Sequence, residues 1–135
     1  MKEADISKAL GQHLLTLAEV PTIVWENKDP GALVRPYLVA QMVRVNRKSR
    51  DLAGGGGIVA KGYLQVTIVY EVDAWSRPAE QLADRIATHF SKGTTLAENG
   101  GVVTVMDEPN ILTALRDGSD WRVPIQIDYQ GNLTP

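Results

Sequence analysis

The side chains able to do acid, base or metal chemistry near neutral pH are few and scattered. The two histidines, His13 and His89, form no His-x-x-x-His pair and have no carboxylate at ligand spacing. His13 borders an apolar stripe beside Leu10, and His89 adjoins Phe90 near the end of a second predicted helix, so both are expected to be structural or solvent-facing. There is no cysteine, which removes thiol nucleophiles, thiolate metal sites and disulfides and fits a reducing compartment. No Gly-x-Ser-x-Gly elbow presents a serine. The late acids Asp107, Glu108, Asp117, Asp120 and Asp128 do not alternate around a fixed glycine as calcium ligands must, and they fall where turns and a solvated strand face want them. Catalytic, cofactor and metal sets are all expected to be empty.

Two other segments could bind rather than react. Gly54 to Gly57 lack the Gly-Lys-Ser/Thr and the following helix of a phosphate cradle; Ile58-Val59-Ala60-Lys61 and then a strand come next, so a flexible loop over about 46–60 is expected. The basic cluster Arg44, Arg47, Lys48 and Arg50 is a candidate surface for assembly or for DNA phosphates. Asp51 adjoins it and no aromatics are interleaved, which argues against a stacking platform for single strands. Trp25, Trp75 and Trp121 lie at strand ends or junctions, either capping the core or anchoring an interface.

The elements that must position these groups follow from periodicity. Ile6, Leu10, Leu14 and Leu17 make one stripe of a helix over about 3–18, which Pro21 stops. Residues 22–26 read as a short strand, and Asn27 to Gly31 as a turn. Residues 37–45 are extended. In 63–72, Leu64, Val66, Ile68, Tyr70 and Val72 face one way and Gln65, Thr67 and Glu71 the other, with Tyr63 and Val69 as exceptions. Ser76 is a plausible N-cap with Pro78 in the first turn of a helix that runs to about 91, and Ala79, Leu82, Ala83, Ile86, Ala87 and Phe90 form its stripe before Gly93. Strands are expected at 102–106, at 111–115 and from Arg122 to Tyr129, where Val123, Ile125, Ile127 and Tyr129 alternate with Arg122, Pro124, Gln126 and Asp128. Pro124 cannot donate to a ladder and predicts an edge strand or a bulge.

The order α, β, β, β, α, β, β, β, give or take one short strand, predicts an α+β fold: a central, mainly antiparallel sheet with two helices on one face. Only the connection carrying the second helix reads as long enough to join parallel neighbours. The 135 residues suit a single domain spanning 1–135. Hydrophobic residues make up 44% and charged residues 22%, an ordinary globular balance. Net charge is −2, whereas phosphate binding favours a basic excess. Met1 to Asp5 are polar and charged with no apolar signal core behind them, so a soluble protein made in the cytoplasm, without membrane contact, is expected.

The ordered segments resemble the phage tail-terminator-like proteins, including prophage minor tail or tail completion proteins, over nearly the whole chain. The resemblance is carried by the leading helix with Pro21-Thr22-Ile23-Val24-Trp25-Glu26-Asn27, by Pro36-Tyr37-Leu38-Val39, and by Lys61-Gly62-Tyr63-Leu64-Gln65-Val66. Ala83 to Phe90 with Gly93, and Trp121 to Tyr129, complete it. Ala74-Trp75-Ser76-Arg77 departs from it, where a glycine-richer turn is expected. The resemblance implies a non-enzymatic virion protein without cofactors, which caps the tail tube as a homo-oligomeric, usually hexameric, ring. Its implied partners are further copies of itself, the tail tube protein and a head-completion or connector protein, with no specific nucleic acid. Two readings of other classes stand beside it: a small-molecule-binding module on the open sheet face, and weak nucleic-acid contact through residues 44–50.

Overall fold

The computed structural model describes residues 1–26, 31, 33–52, 55–72 and 76–134. Helix α1 (Glu3–Leu15) precedes β1 (Ile23–Val24), β2 (Tyr37–Ser49) and β3 (Ile58–Glu71). Helix α2 (Ser76–His89) is followed by β4 (Thr95–Glu98), β5 (Gly101–Val105), β6 (Asn110–Ile111), β7 (Leu115–Asp117) and β8 (Asp120–Leu133). The fold is α+β, with five strands after α2 where the sequence predicts three. Thr95 to Glu98 is too short to be read as a strand, and the expected 111–115 strand divides into β6 and β7.

Helix α1 buries Ile6, Leu10 and Leu14 of the predicted stripe, and Ala9 besides; Leu17, the fourth member, is buried just past the helix end. The Asp5 carboxylate accepts the Lys2 main-chain N–H at 2.8 Å and the Asn99 amide at 3.2 Å, so the helix start is tied to the β4–β5 turn. The helix ends at Leu15 rather than near 18. Thr16 donates its hydroxyl to the His13 carbonyl (2.6 Å), and the Thr16 and Leu17 N–H groups reach back only three residues. Those shorter bonds tighten the chain out of the α-helix. Helix α2 buries Ala79, Leu82, Ala83 and Ile86, with Phe90 just past its end. Ser76 is its first residue, so the capping position falls on Trp75, outside the described residues.

Strands β3 and β8 pair antiparallel along their full length, from Ile58 opposite Leu133 to Glu71 opposite Asp120. Alternation does the rest. Leu64 lies opposite Ile127, Val66 opposite Ile125 and Ile68 opposite Val123, and β2 extends these columns with Met42, Ala40 and Leu38. These side chains and the stripes of both helices belong to one hydrophobic cluster. The other parity of β3 is less polar than its period suggests. Val69 and Thr67 are buried, flanked across the ladders by Tyr37 and Arg122 and by Val39 and Pro124.

The sheet order is β1-β2-β3-β8-β5-β4, with β6 and β7 also on β8. It is antiparallel apart from β1–β2. That parallel pair corrects the expectation that only the connection through α2 could serve, since residues 25–36 supply the dozen or so a crossover needs. The edge expected at Pro124 is also corrected: β8 is central. The Pro124 carbonyl accepts the Leu112 N–H at 2.9 Å, so the missing N–H of the same residue faces that side, where partner strands break between Ile111 and Leu115.

The loop expected at about 46–60 is strand at both of its ends. Residues 46–49 pair with 58–61, so the described residues 50–52 and 55–57 stand at the end of a long β2–β3 arm. Glycine and charge suggested a loop, but the pairing is made by backbone groups, which need no particular side chain. The Asn27-to-Gly31 turn and Gly54 fall at or within residues that lie outside the description, Gly31 excepted.

Leu82→Ala and Ile86→Ala should each lower unfolding free energy by about 2–5 kcal/mol in urea titrations, because each empties a buried site between α2 and the sheet.

Candidate functional site

Arg44, Arg47 and Lys48 of the basic cluster sit on strand β2, and Arg50 follows just past its end. Arg44 lies opposite Gly62 and Arg47 opposite Ala60, and a bulge between Arg44 and Asn46 inserts Val45 as the extra residue. Without the bulge, Arg44 and Arg47 would point to opposite faces. With it, both share the face of Ala60 and Gly62, and both meet Glu3 at the start of α1, at 3.5 and 3.3 Å. These distances exceed the about 2.7–2.9 Å of a charge-assisted hydrogen bond, so the attraction is coulombic. That is consistent with the Glu3 carboxylate oxygens having no hydrogen-bond partner among the described residues. Arg44 also donates to the Ser7 hydroxyl at 3.2 Å. Lys48 and Arg50 make no side-chain ion pair among the described residues and are exposed.

Beneath the two arginines lies Tyr129. A Cβ at Gly62 would stand 2.7 Å from its hydroxyl and against the Val43 carbonyl, so only glycine lets the ring lie there. The hydroxyl is buried without a hydrogen-bond partner among the described residues. Burial, followed by the Glu3 charge, pushes the phenol above its usual 10.0, and Arg44 opposes the shift.

The two histidines, separated by most of the chain, come together at the C-terminal ends of both helices. Their rings stack with centroids 4.0 Å apart and planes 9° apart, and Phe90 stands edge-on to each. His13 Nε2 lies 2.7 Å from the His89 carbonyl and His89 Nε2 lies 2.6 Å from the His13 carbonyl. A carbonyl only accepts, so both Nε2 atoms carry hydrogen. Thr16 Oγ1 lies 2.8 Å from His89 Nε2 as well. The reciprocal bonds satisfy carbonyls that helix ends leave open. This is a clasp between helices, where the sequence left a structural and a solvent-facing role both open. The pairing itself was missed. Its one trace in the sequence is that each histidine falls in the last turn of its helix.

The three tryptophans part company. Trp25 packs its ring on Gly11 of α1 and is partly buried against the core, as is Trp121 between Tyr70 and Arg116. Trp75 lies outside the described residues. The late acids are spread among separate partners: Asp120 pairs with Arg35 (2.9 Å) and Arg122 (3.6 Å), and Asp117 with Arg122 (3.3 Å). Glu108 accepts the Lys92 N–H and Asp128 the Gln126 amide. Among the described residues no group of three or more histidines or acids is placed to hold a metal.

An open groove of about 380 Å³ runs between the start of α2 and the end of β3, past Arg35, Tyr70, Glu71, Pro78 and Leu82. It is the natural place to look for a small ligand. Arg35, however, is committed to Asp120 and to the Ser119 carbonyl and hydroxyl (each 3.3 Å), which leaves Glu71 as the groove's other charged side chain among the described residues. Polar groups do not converge on it as a ligand site requires. Among the described residues no helix is long and apolar enough to cross a membrane.

What the geometry offers is surface: open strand edges and a charged arm. The sequence profile of the phage tail terminator proteins matches residues 5–129. The chain belongs to that family. Membership gives it a structural role in the phage tail, in a family of structural proteins rather than enzymes, and a place in the virion. One solved protein, known by a sequence label alone, is 25% identical with a TM-score of 0.79, over 100% of this chain and 99% of its own. A chain from the virion of a native gene transfer agent particle shares the fold at 14% identity and a TM-score of 0.62, over 99% of this chain and 100% of its own. No curated protein matches.

Tyr129→Phe removes a buried hydroxyl that has no partner, so the midpoint of denaturation should be little changed at pH 7. A phenol whose folded pKa is raised gives stability that is present below 10.0 and lost as pH climbs past it, so the variant should outlast the parent in melts above pH 10. A double-mutant cycle of His13→Ala and His89→Ala should show a coupling of about 0.5–3 kcal/mol, since the two rings complete each other's hydrogen bonds.

Proposed function

We propose that the protein ends tail growth by closing as a homo-oligomeric ring, six copies as the family resemblance implies, over the head-proximal end of the tail tube. The observation that carries this reading is the terminator profile spanning residues 5–129, nearly the whole folded unit. Its partners are other copies of itself, the tail tube protein and a head-completion or connector protein. It is made in the bacterial host cytoplasm, from a phage or prophage gene, and works in the virion. A capping ring needs complementary edges rather than a pocket. The chain supplies edges in the outer side of β2 and in β6 and β7, each short of a neighbour among the described residues.

Arg44, Arg47, Lys48 and Arg50 serve as an assembly surface in this reading. Nucleic-acid contact is the weaker reading, because Glu3 already holds two of the four. Trp25 and Trp121 contribute by packing against the core.

Electron micrographs of tails assembled without this protein should show tubes of uncontrolled length that do not join heads, and adding the purified protein should restore both. Tails of normal, uniform length in its absence would remove the capping role.

A further inference from the structure

The β2–β3 arm and the segment 106–117 lie on opposite sides of the central β3–β8 pair and toward opposite ends of it, and they differ in charge. The arm carries Lys48, Arg50 and Lys61, which pair with no acid among the described residues, and Asp51 is its one acid beyond β2. The opposite segment carries Asp107 and Glu108, which pair with no base among the described residues, and Asp117, which Arg122 of β8 meets at 3.3 Å, against a single Arg116. Each side is also apolar in places where monomers expose little. Val45, the bulge residue, is 67% exposed on the arm, while Leu115 is 61% exposed opposite, in line with exposed Met106, Ile111 and Leu112.

Both are unfinished sheet edges. Beyond Val39, β2 has no outer strand among the described residues, and the Glu26 side chain takes the Met42 N–H in place of one. Strands β6 and β7 pair with β8 alone. Edges of this kind either are covered or pair with another chain.

We infer that these two edges are the two halves of one head-to-tail contact, the basic arm edge of one copy seated on the acidic, apolar 106–117 ledge of the next. The inference rests on the ring reading above and names its interface. Two different patches on opposite sides of one chain give a heterologous contact, which closes into a ring when the rotation allows. The occupant of each edge is therefore a second copy of this chain. Opposite charge sets the direction of the contact, and the facing Val45 and Leu115 groups supply apolar area.

Charge reversal tests this. Lys48→Glu/Arg50→Glu/Lys61→Glu makes one variant and Asp107→Lys/Asp117→Lys another, and matching thermal melts check that both fold. Ring formation is followed by native mass spectrometry and negative-stain imaging, at rising concentration and on uncapped tails. Each variant alone should need at least about tenfold more protein than the parent to form rings, because like charges then meet at the contact. An equal mixture of the two should assemble as the parent does, in rings of alternating copies. Variants that assemble alone like the parent, or a mixture that does not recover, would overturn the edge assignment and leave the capping role standing. A parent that forms rings neither alone nor on tails would remove the ring reading and the interface with it.

Since the chain has no cysteine, Val45→Cys and Leu115→Cys variants give an independent check. Mixed and oxidised, they should link to each other. Within one chain the two positions are three strand spacings apart across the sheet, about 14 Å, and about seven residues, roughly 24 Å, apart along it, too far for a disulfide. Links between two Val45→Cys chains instead would mean that like edges meet, which overturns the head-to-tail assignment.

Discussion

Everything in this fold is registered to the ladder between β3 and β8. Both strands are 14 residues long, and every residue of one has a partner in the other. A slip of one residue would turn Val123, Ile125, Ile127 and Tyr129 away from the cluster that holds Leu64, Val66 and Ile68. The ladder also seats the helices. Gly131 of β8 leaves room for Ile6 of α1, whose Cδ1 would lie 2.6 Å from a Cβ at that position. Strand β2, the β4–β5 hairpin and the short strands β6 and β7 are additions to the two flanks of this pair. Their edges are exposed because the ladder occupies the centre.

What could be read from the sequence is what depends on local spacing. The stripe of Ile6, Leu10 and Leu14, the stripe of Leu82, Ala83 and Ile86, and the alternation from Arg122 to Tyr129 stand in the structure as written in the chain. The hairpin at Asp117-Gly118 is likewise present, with Asp117 opposite Asp120. Misreadings arose where neighbours decide the outcome. Residues 46–49 and 58–60 look like loop by composition and become strand because each supplies the other's backbone partners. Pro124 looks like an edge residue, yet a central strand tolerates it beside a break in the neighbouring strands. The contacts of Glu3 with Arg44 and Arg47, and of His13 with His89, join residues far apart in the chain, and no periodicity announces such pairs.

The distribution of polar groups agrees with a protein that works by contact. Where charges are buried or half-buried they are spent on holding elements together: Asp5 on the β4–β5 turn, Glu3 on the arm, Asp120 on the segment that leads into β2. Charges left open to solvent include Lys48 and Arg50 at the rim of the sheet and Glu80 and Asp84 on α2. Such rims suit a member of a family whose role is structural. The histidine clasp fixes the two helix ends against each other, so the sheet edges are presented from a frame with little internal play at that end.

The extra residue at Val45 has a consequence for how this chain can vary. It reverses the parity of β2 beyond Arg44, so the outer part of the arm presents its side chains to the faces in the opposite order from the inner part. An insertion or deletion of one residue between the bulge and the tip would exchange the two faces of the outer arm and swing Arg47 away from Glu3. A change of two, matched on β3, would keep the faces and alter only reach. Relatives that span different distances can therefore be built by adding residues to the arm in even steps, with the body of the domain left as it is.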